Sequence, residues 1–288
     1  MEISLIMQSL ANGIISGFIF VLIALGLNLV FGVVNILNFA HGVLVMLGAF
    51  AMWVLTFRYH LNFILAFLLS MFLVAIIGIM IEKGLFRPLR GTFWAPVVIC
   101  VGVMLIAEAG AILVFGVTPK AVPTPSILQR VVHGFGISLS LARLTTLIIS
   151  LVLTFAFYIL IVRTKLGKSM QAVAQDPDGA RLQGISIDFV SSMAMGMGSA
   201  IAAAAGCLLG MLTQVDASMG MQPLLWALVV VVVGGLGSLP GAVLGGLIIG
   251  MIQGFVSTYF SSAMATIAVF VVLIIMLVAK PSGLFGRE

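Results

Sequence analysis

Long apolar runs, each interrupted by only a few polar residues, constrain this chain more than any other feature. A helix needs about 20 apolar residues to cross a bilayer. Runs of that kind fall at about 12–33, 39–57, 61–82, 95–117, 141–162, 189–213, 223–236, 240–259 and 263–279. The sequence is 62% hydrophobic and 7% charged, with a mean hydropathy of +1.34, whereas a soluble domain carries about 25% charged residues. Such a chain cannot cover its own core with polar surface, so part of its solvent is lipid. The expected fold class is an all-α integral membrane protein, a polytopic bundle of about eight to nine transmembrane or half-spanning helices. It is read as one transmembrane domain over 1–288, with residues 163–188 as a cytoplasmic loop.

Two joints are too short and too glycine-rich for ordinary loops. One runs from Gly32 to Gly42 and carries Asn35, Asn38 and His41; the other runs from Gly234 to Gly241. The 223–236 piece is short for a crossing and reads as a half-span or re-entrant arm. Superposing Gly32 on Gly234 also pairs Leu37 with Leu239, Ala40 with Ala242 and Gly48 with Gly250. That admits an internal repeat, although glycine-rich stretches align readily by chance.

The formal charge of +5 is first a topology signal. Lys83, Arg87, Arg90, Arg163, Lys165, Lys168, Arg181, Lys280 and Arg287, nine of the 13 basic residues, fall on one side of the predicted spans. Arg58, Lys120, Arg130 and Arg143 fall on the other. By the positive-inside rule the first side is cytoplasmic, which puts 118–138, with Pro119, Pro123 and Pro125, outside together with the N-terminus. No basic n-region precedes the first apolar run, so no cleavable signal peptide is expected. Cys100 and Cys207 sit in apolar runs and read as buried small hydrophobes. Trp53, Trp94 and Trp226 lie near span ends, where interfacial anchoring is the ordinary reading.

Residues 163–188 form the longest polar stretch, and it contains Gly167-Lys168-Ser169, the ending of a phosphate-binding loop. The first glycine of that motif would fall at Val162, at the end of a membrane helix rather than a buried strand, so the match is accidental. The stretch instead carries helix signals. Leu166, Met170, Val173 and Ala174 recur at helical spacing over 166–175. Asp176-Pro177 reads as an N-cap with proline at the first helical position, and Gly184 as the residue that ends a second short helix. Two short amphipathic helices either rest on the lipid interface or dock into a partner.

Three stretches resemble the permease subunits of the branched-chain amino-acid ABC importers of the high-affinity leucine/isoleucine/valine type. They are "GKSMQAVAQDPDGARLQGI", "GLNLVFGVVNILNFAHGVLVMLGAF" and "VVVVGGLGSLPGAVLGGLIIG". The resemblance implies a multi-pass subunit of the bacterial inner membrane that catalyses nothing itself. Its implied partners are cytoplasmic ABC ATPase subunits, which would bind ATP and Mg, a second permease subunit, identical or homologous, and an external substrate-binding protein. No cofactor, metal or nucleic acid is expected on this chain. On this reading Gly167, Ala172, Ala180 and Gly184 match the small-residue pattern of the ATPase-coupling loop, and Arg181 is a candidate ionic contact. Urea or short-chain amides are alternative solutes within the family. A self-sufficient secondary transporter or channel is the reading from another class.

Polar groups at membrane depth face the bundle interior or a pathway. Glu108 is read as a pathway or gating group, as a contact to a substrate ammonium, or as a carboxyl satisfied by its neighbours. Asn35, Asn38 and His41 either line a pathway or satisfy backbone freed by the break. Glycines recur every four residues at Gly13/Gly17, Gly206/Gly210 and Gly246/Gly250/Gly254, a spacing that admits a close helix neighbour, in this chain or in the second subunit. His41, His60 and His133 are far apart in sequence, with no nucleophile or carboxylate at motif spacing, which disfavours an enzyme.

Overall fold

The computed structural model describes residues 2–36, 38–90, 92, 94–134 and 137–286; Leu37 and Arg287 of the readings above lie outside them. Within that range the chain is mostly helical. Helices α1 (Glu2–Val34), α2 (His41–Phe57), α3 (Phe63–Ile81), α4 (Trp94–Phe115) and α5 (Leu141–Arg163) lead to two short helices, α6 (Lys165–Gln175) and α7 (Pro177–Leu182). Then follow α8 (Ile187–Leu212), α9 (Met221–Gly234), α10 (Leu239–Tyr259) and α11 (Ser262–Ala279). Seven helices are long and apolar enough to cross a membrane, and α2 and α9 are shorter apolar helices. At 17 and 14 residues, these two span about 26 and 21 Å, short of a hydrocarbon core of about 30 Å.

Helices α1 and α8 are the buried centre. Around them pack α2, α3, α9 and α10, while α4 and α11 stand at the margin with most of their surface open. Side chains such as Leu113 on α4 and Val278 on α11 are more than four-fifths exposed. In water such a surface would drive aggregation; beside lipid or another membrane subunit it is the ordinary solvent-facing side.

α1 begins ten residues earlier than the predicted 12–33, and the reason is tertiary. Gln8 and Asn12, which weaken the apolar signal, find partners at the same end of the bundle. Gln8 exchanges two hydrogen bonds with the backbone of Ser138 (3.0 and 3.3 Å), and Asn12 accepts from Arg143 at 2.5 Å. Ser138 belongs to a small antiparallel hairpin, β1 (Val131–Gly134) and β2 (Ile137–Ser140), that caps the end read as external. Lys120 and Val215 add a two-hydrogen-bond bridge there, both 2.8 Å.

The two joints differ. After α1 the chain turns through Asn35, in the left-handed region at φ 56°, and re-enters so that α2 starts well inside the bundle, His41 meeting the carbonyl of Ile23. The second joint is a tight turn between α9 and α10. Gly235 and Gly237 take φ of 104° and 79°, and Ser238 caps α10 by accepting from the Gly241 N–H at 3.1 Å. Gly234 and Gly241 touch backbone to backbone, whereas Gly32 has no neighbour within 4 Å of a Cβ position. Gly32 and Gly234, paired by the repeat alignment, therefore do different work.

Trp226 is not an interfacial anchor. It is 5% exposed and stacks on Phe20 with centroids 4.6 Å apart, because the face of α9 that carries it packs against α1. Trp94 is largely exposed at the start of α4, and Trp53 is partly covered by Phe57 and Phe115.

Candidate functional site

The polar stretch 163–188 folds as two short helices fixed to the bundle's cationic end. Thr164 ends α5 and caps α6, its hydroxyl accepting from the Gly167 N–H at 3.0 Å. Gln171 reaches back to the Ile161 carbonyl at 2.9 Å. Asp176 caps α7, taking the N–H groups of Asp178 and Gly179 at 3.1 and 3.0 Å, with Pro177 at the first helical position. Gly184 closes α7 at φ 80°, a conformation that glycine adopts without Cβ strain. Replacing Asp176 with alanine should cost about 1 kcal/mol of local stability. Hydrogen exchange of the peptide over 177–183 checks this, with roughly fivefold faster exchange expected.

The small residues of this stretch mostly face inward. Gly167 is buried against the Leu160 and Ile161 carbonyls, and Ala180 is 5% exposed; Met170 and Val173 of α6 are also buried. Ala172 is half-buried and Ala174 is exposed, so Ala174 does not share the apolar side expected for it. Small size at 167 and 180 serves close seating of the loop on its own bundle. The outward surface of α7 is Pro177, Asp178, Arg181 and Leu182, and the Leu182 side chain is 87% exposed.

A second anchor escaped the sequence reading. α3 runs on as a π-helical turn, Glu82–Phe86, then a 3-10 turn, Arg87–Leu89. The π-turn swings Glu82 inward until it is fully buried. There it accepts from Arg87 (3.1 Å), Arg90 (2.5 Å) and the Ser192 hydroxyl (2.5 Å). Both arginines also pair with Asp188, at the first turn of α8 where the 163–188 stretch ends, Arg87 at 3.7 Å and Arg90 in closer contact. Arg87 donates as well to the Asp188 carbonyl and to Ser192 Oγ, at 3.1 and 2.8 Å. One buried carboxylate thus joins α3, α8 and the polar loop. The signal was present as an acid–base–base spacing at a span end, but only the π-turn brings Glu82 inside.

The candidate pathway residues separate. Asn38 is buried; its Oδ1 accepts from the Ala40 N–H at 3.1 Å and from the Cys100 thiol, and its amide meets Met195 Sδ. His41 is fully buried and donates from Nε2 to the Ile23 carbonyl at 3.1 Å, with Nδ1 left unpartnered. Both hold the break together. Asn35 is exposed at the turn. Glu108, on α4, borders a narrow void of about 10 Å³, roughly the room of one water, with Gly42, Gly220 and Leu224. Gly42 and Gly220 touch there, so the N-terminal ends of α2 and α9 meet beside Glu108.

The glycine series find their neighbours inside this chain. Gly246, Gly250 and Gly254 on α10 lie against the backbone of α1 at Val21, Gly17 and Gly13, and Gly206 lies against the Val45 backbone on α2. Asn28, buried on α1, locks the second joint, accepting from the Gly237 N–H at 2.6 Å and donating to the Ser238 carbonyl at 2.8 Å. Nothing in the spacing around Asn28 announced that role. Among the described residues, no group of three His, Cys, Asp or Glu is placed to hold a metal ion.

A family profile described as "Branched-chain amino acid transport system / permease component" matches residues 9–279. The chain is 30% identical to the high-affinity branched-chain amino acid transport system permease protein BraD of Pseudomonas aeruginosa, over 99% of this chain and 97% of that one. It is 29% identical to the permease protein LivH of Salmonella typhimurium and to LivH of Escherichia coli, in both cases over 98% of this chain and 96% of the relative. Among solved structures, PsaBC from Streptococcus pneumoniae in complex with Fab superposes with a TM-score of 0.54 at 12% identity, covering 94% of this chain and 91% of that one; this is a likeness of fold. The profile match and the near full-length identities agree with the helix bundle: the chain belongs to the family of permease components of branched-chain amino acid transport systems.

Proposed function

We propose that this chain forms part of the transmembrane pathway of an ATP-driven importer for branched-chain or related amino acids in the bacterial inner membrane. Cytoplasmic ATPase subunits, which bind ATP and Mg, drive it from α6 and α7. An external binding protein delivers the solute, and a second permease subunit completes the pathway. The observation that supports this most is mechanical. The polar loop is fixed to α5 by Thr164 and Gln171 and to α3 through Asp188 and Glu82, yet it holds Leu182 outward, 87% exposed. A partner can move a membrane helix only through a rigid contact, and an apolar anchor beside a cation is a suitable docking surface for a groove.

Leu182→Glu should therefore abolish co-purification of the ATPase subunits, while the permease keeps its thermal stability, because the side chain touches little of its own bundle. Burying a leucine contributes about 1.5–3 kcal/mol, and placing a carboxylate in that groove adds a desolvation cost. An affinity loss of about a hundredfold or more is expected, read from the ATPase retained after detergent extraction. Reconstituted with its partners and the binding protein, the wild-type assembly should take up leucine only with ATP. ATP-driven uptake of urea or acetamide with no leucine uptake would move the solute to the amide class. Leucine uptake without ATP would assign the chain to ion-coupled transport.

A further inference from the structure

The end of the bundle opposite α6 and α7 holds a cavity of about 380 Å³. It opens between the outer ends of α1, α5, α8, α9, α10 and α11. One wall is aromatic: Phe20 and Trp226, 6% and 5% exposed, stack on each other. The rest of the lining includes Arg143, Asn12, Gln222 and Gln253. Arg143 is exposed, and its guanidinium is steadied by Asn12 Oδ1 at 2.5 Å. Gln253 Oε1 is sealed from water and has no hydrogen-bond partner.

Each of these groups specifies part of a ligand. A guanidinium whose fork is held on one side presents its remaining donors to a carboxylate. Gln253 Oε1 has no surface open to the cavity as it stands; the cost of leaving an amide oxygen unpartnered favours a rotation of the Gln253 side chain that brings it to a donor in the cavity. An aromatic stack offers apolar surface to an aliphatic side chain. The volume falls within the range of about 300–1,000 Å³ usual for small-molecule sites. Deeper along the same helices, Gly246 packs against Val21 and brings α10 and α1 into backbone contact.

We propose that this cavity is a solute site within the single permease subunit, taking a zwitterionic aliphatic amino acid. Its carboxylate sits on Arg143, its ammonium on Gln253 Oε1 and its side chain on Phe20 and Trp226. The inference rests on the amino-acid reading above and adds the place and the residues that recognise the solute. It also explains why polar residues gather at the outer ends of six otherwise apolar helices.

The test is equilibrium binding of radiolabelled L-leucine to the purified permease–ATPase assembly in nanodiscs, without the binding protein. Leucinamide, which lacks the carboxylate, and 4-methylpentanoate, which lacks the ammonium, serve as competitors. The wild type should bind leucine saturably at about 1 mM or tighter. Arg143→Gln should weaken leucine about tenfold or more and remove its advantage over leucinamide. Arg143→Lys should restore part of the affinity. Gln253→Leu should remove the advantage over 4-methylpentanoate. Unchanged melting temperatures in the variants separate recognition from folding. Absent saturable binding, or binding that none of the three variants alters, in an assembly that imports leucine with ATP would overturn this site and leave the proposed function standing. Failure of the wild-type assembly to import leucine would overturn both.

Discussion

Gly250→Leu should produce a chain that inserts in the membrane but does not hold its native packing. A side chain at 250 would run into the backbone of Gly17 and the carbonyl of Gly13 on α1. Neighbouring contacts at Gly246 against Val21 and at Gly254 against Gly13 fix the same close approach, so α10 cannot tilt away at one point alone. Overpacking a core costs about 1–3 kcal/mol where side chains can shift. Here the obstructing atoms are backbone, and separating two helices forfeits dispersion contacts along their length, so a loss of about 3 kcal/mol or more is expected. A fluorescence-detected thermal melt of the detergent-extracted chain checks it, with a fall of about 10 °C or loss of the monodisperse peak expected. Phe260→Leu, at a position 77% exposed just beyond α10, should leave the melt unchanged. If Gly250→Leu melts as the wild type does, the close α1–α10 contact is not what holds the bundle.

The four-residue glycine spacing was legible before the structure because it reflects geometry within one helix. Which neighbour the glycines meet was not legible, since a small-residue stripe looks the same whether α1 or a second subunit lies against it. The spans were readable for a related reason: lipid demands continuous apolar length, and the length is written in the chain. The start of α1 and the place of Trp226 were misread because each depends on a neighbour. Gln8 and Asn12 look like a boundary until Ser138 and Arg143 satisfy them, and a tryptophan near a span end looks interfacial until a neighbouring helix, here α1 with Phe20, covers it. In the polar loop, the caps at Asp176-Pro177 and Gly184 were local and plain, whereas the inward seating of Gly167 and Ala180 was tertiary. The partners of Glu82 lie on α8 and in the turn after α3, so no local pattern could foretell its burial.

Glu82→Ala tests whether that buried carboxylate transmits motion as well as stabilising the fold. Removing it takes the acceptor from Arg87, Arg90 and Ser192 at once. Breaking a buried pair by deleting one partner costs about 3–5 kcal/mol. The two arginine side chains are 32% and 28% exposed and keep Asp188, so water and that second carboxylate offset part of the loss and about 2–3 kcal/mol is expected. Glu82→Gln, which keeps the shape and can still accept, should lose about half as much. The functional consequence follows from where the cluster sits. With Glu82 gone, the start of α8 and the 163–188 stretch remain joined to the turn after α3 through the ion pairs to Asp188 and the Arg87 hydrogen bonds to the Asp188 carbonyl and Ser192 Oγ. In the reconstituted assembly, ATP hydrolysis should then continue while leucine taken up per ATP falls severalfold. Leu182→Glu should instead lose hydrolysis and uptake together, because the ATPase no longer docks. If Glu82→Ala lowers hydrolysis and uptake in equal proportion, the cluster serves only to hold the fold. A selective loss of uptake would identify it as the joint through which movement of α6 and α7 reaches the membrane helices.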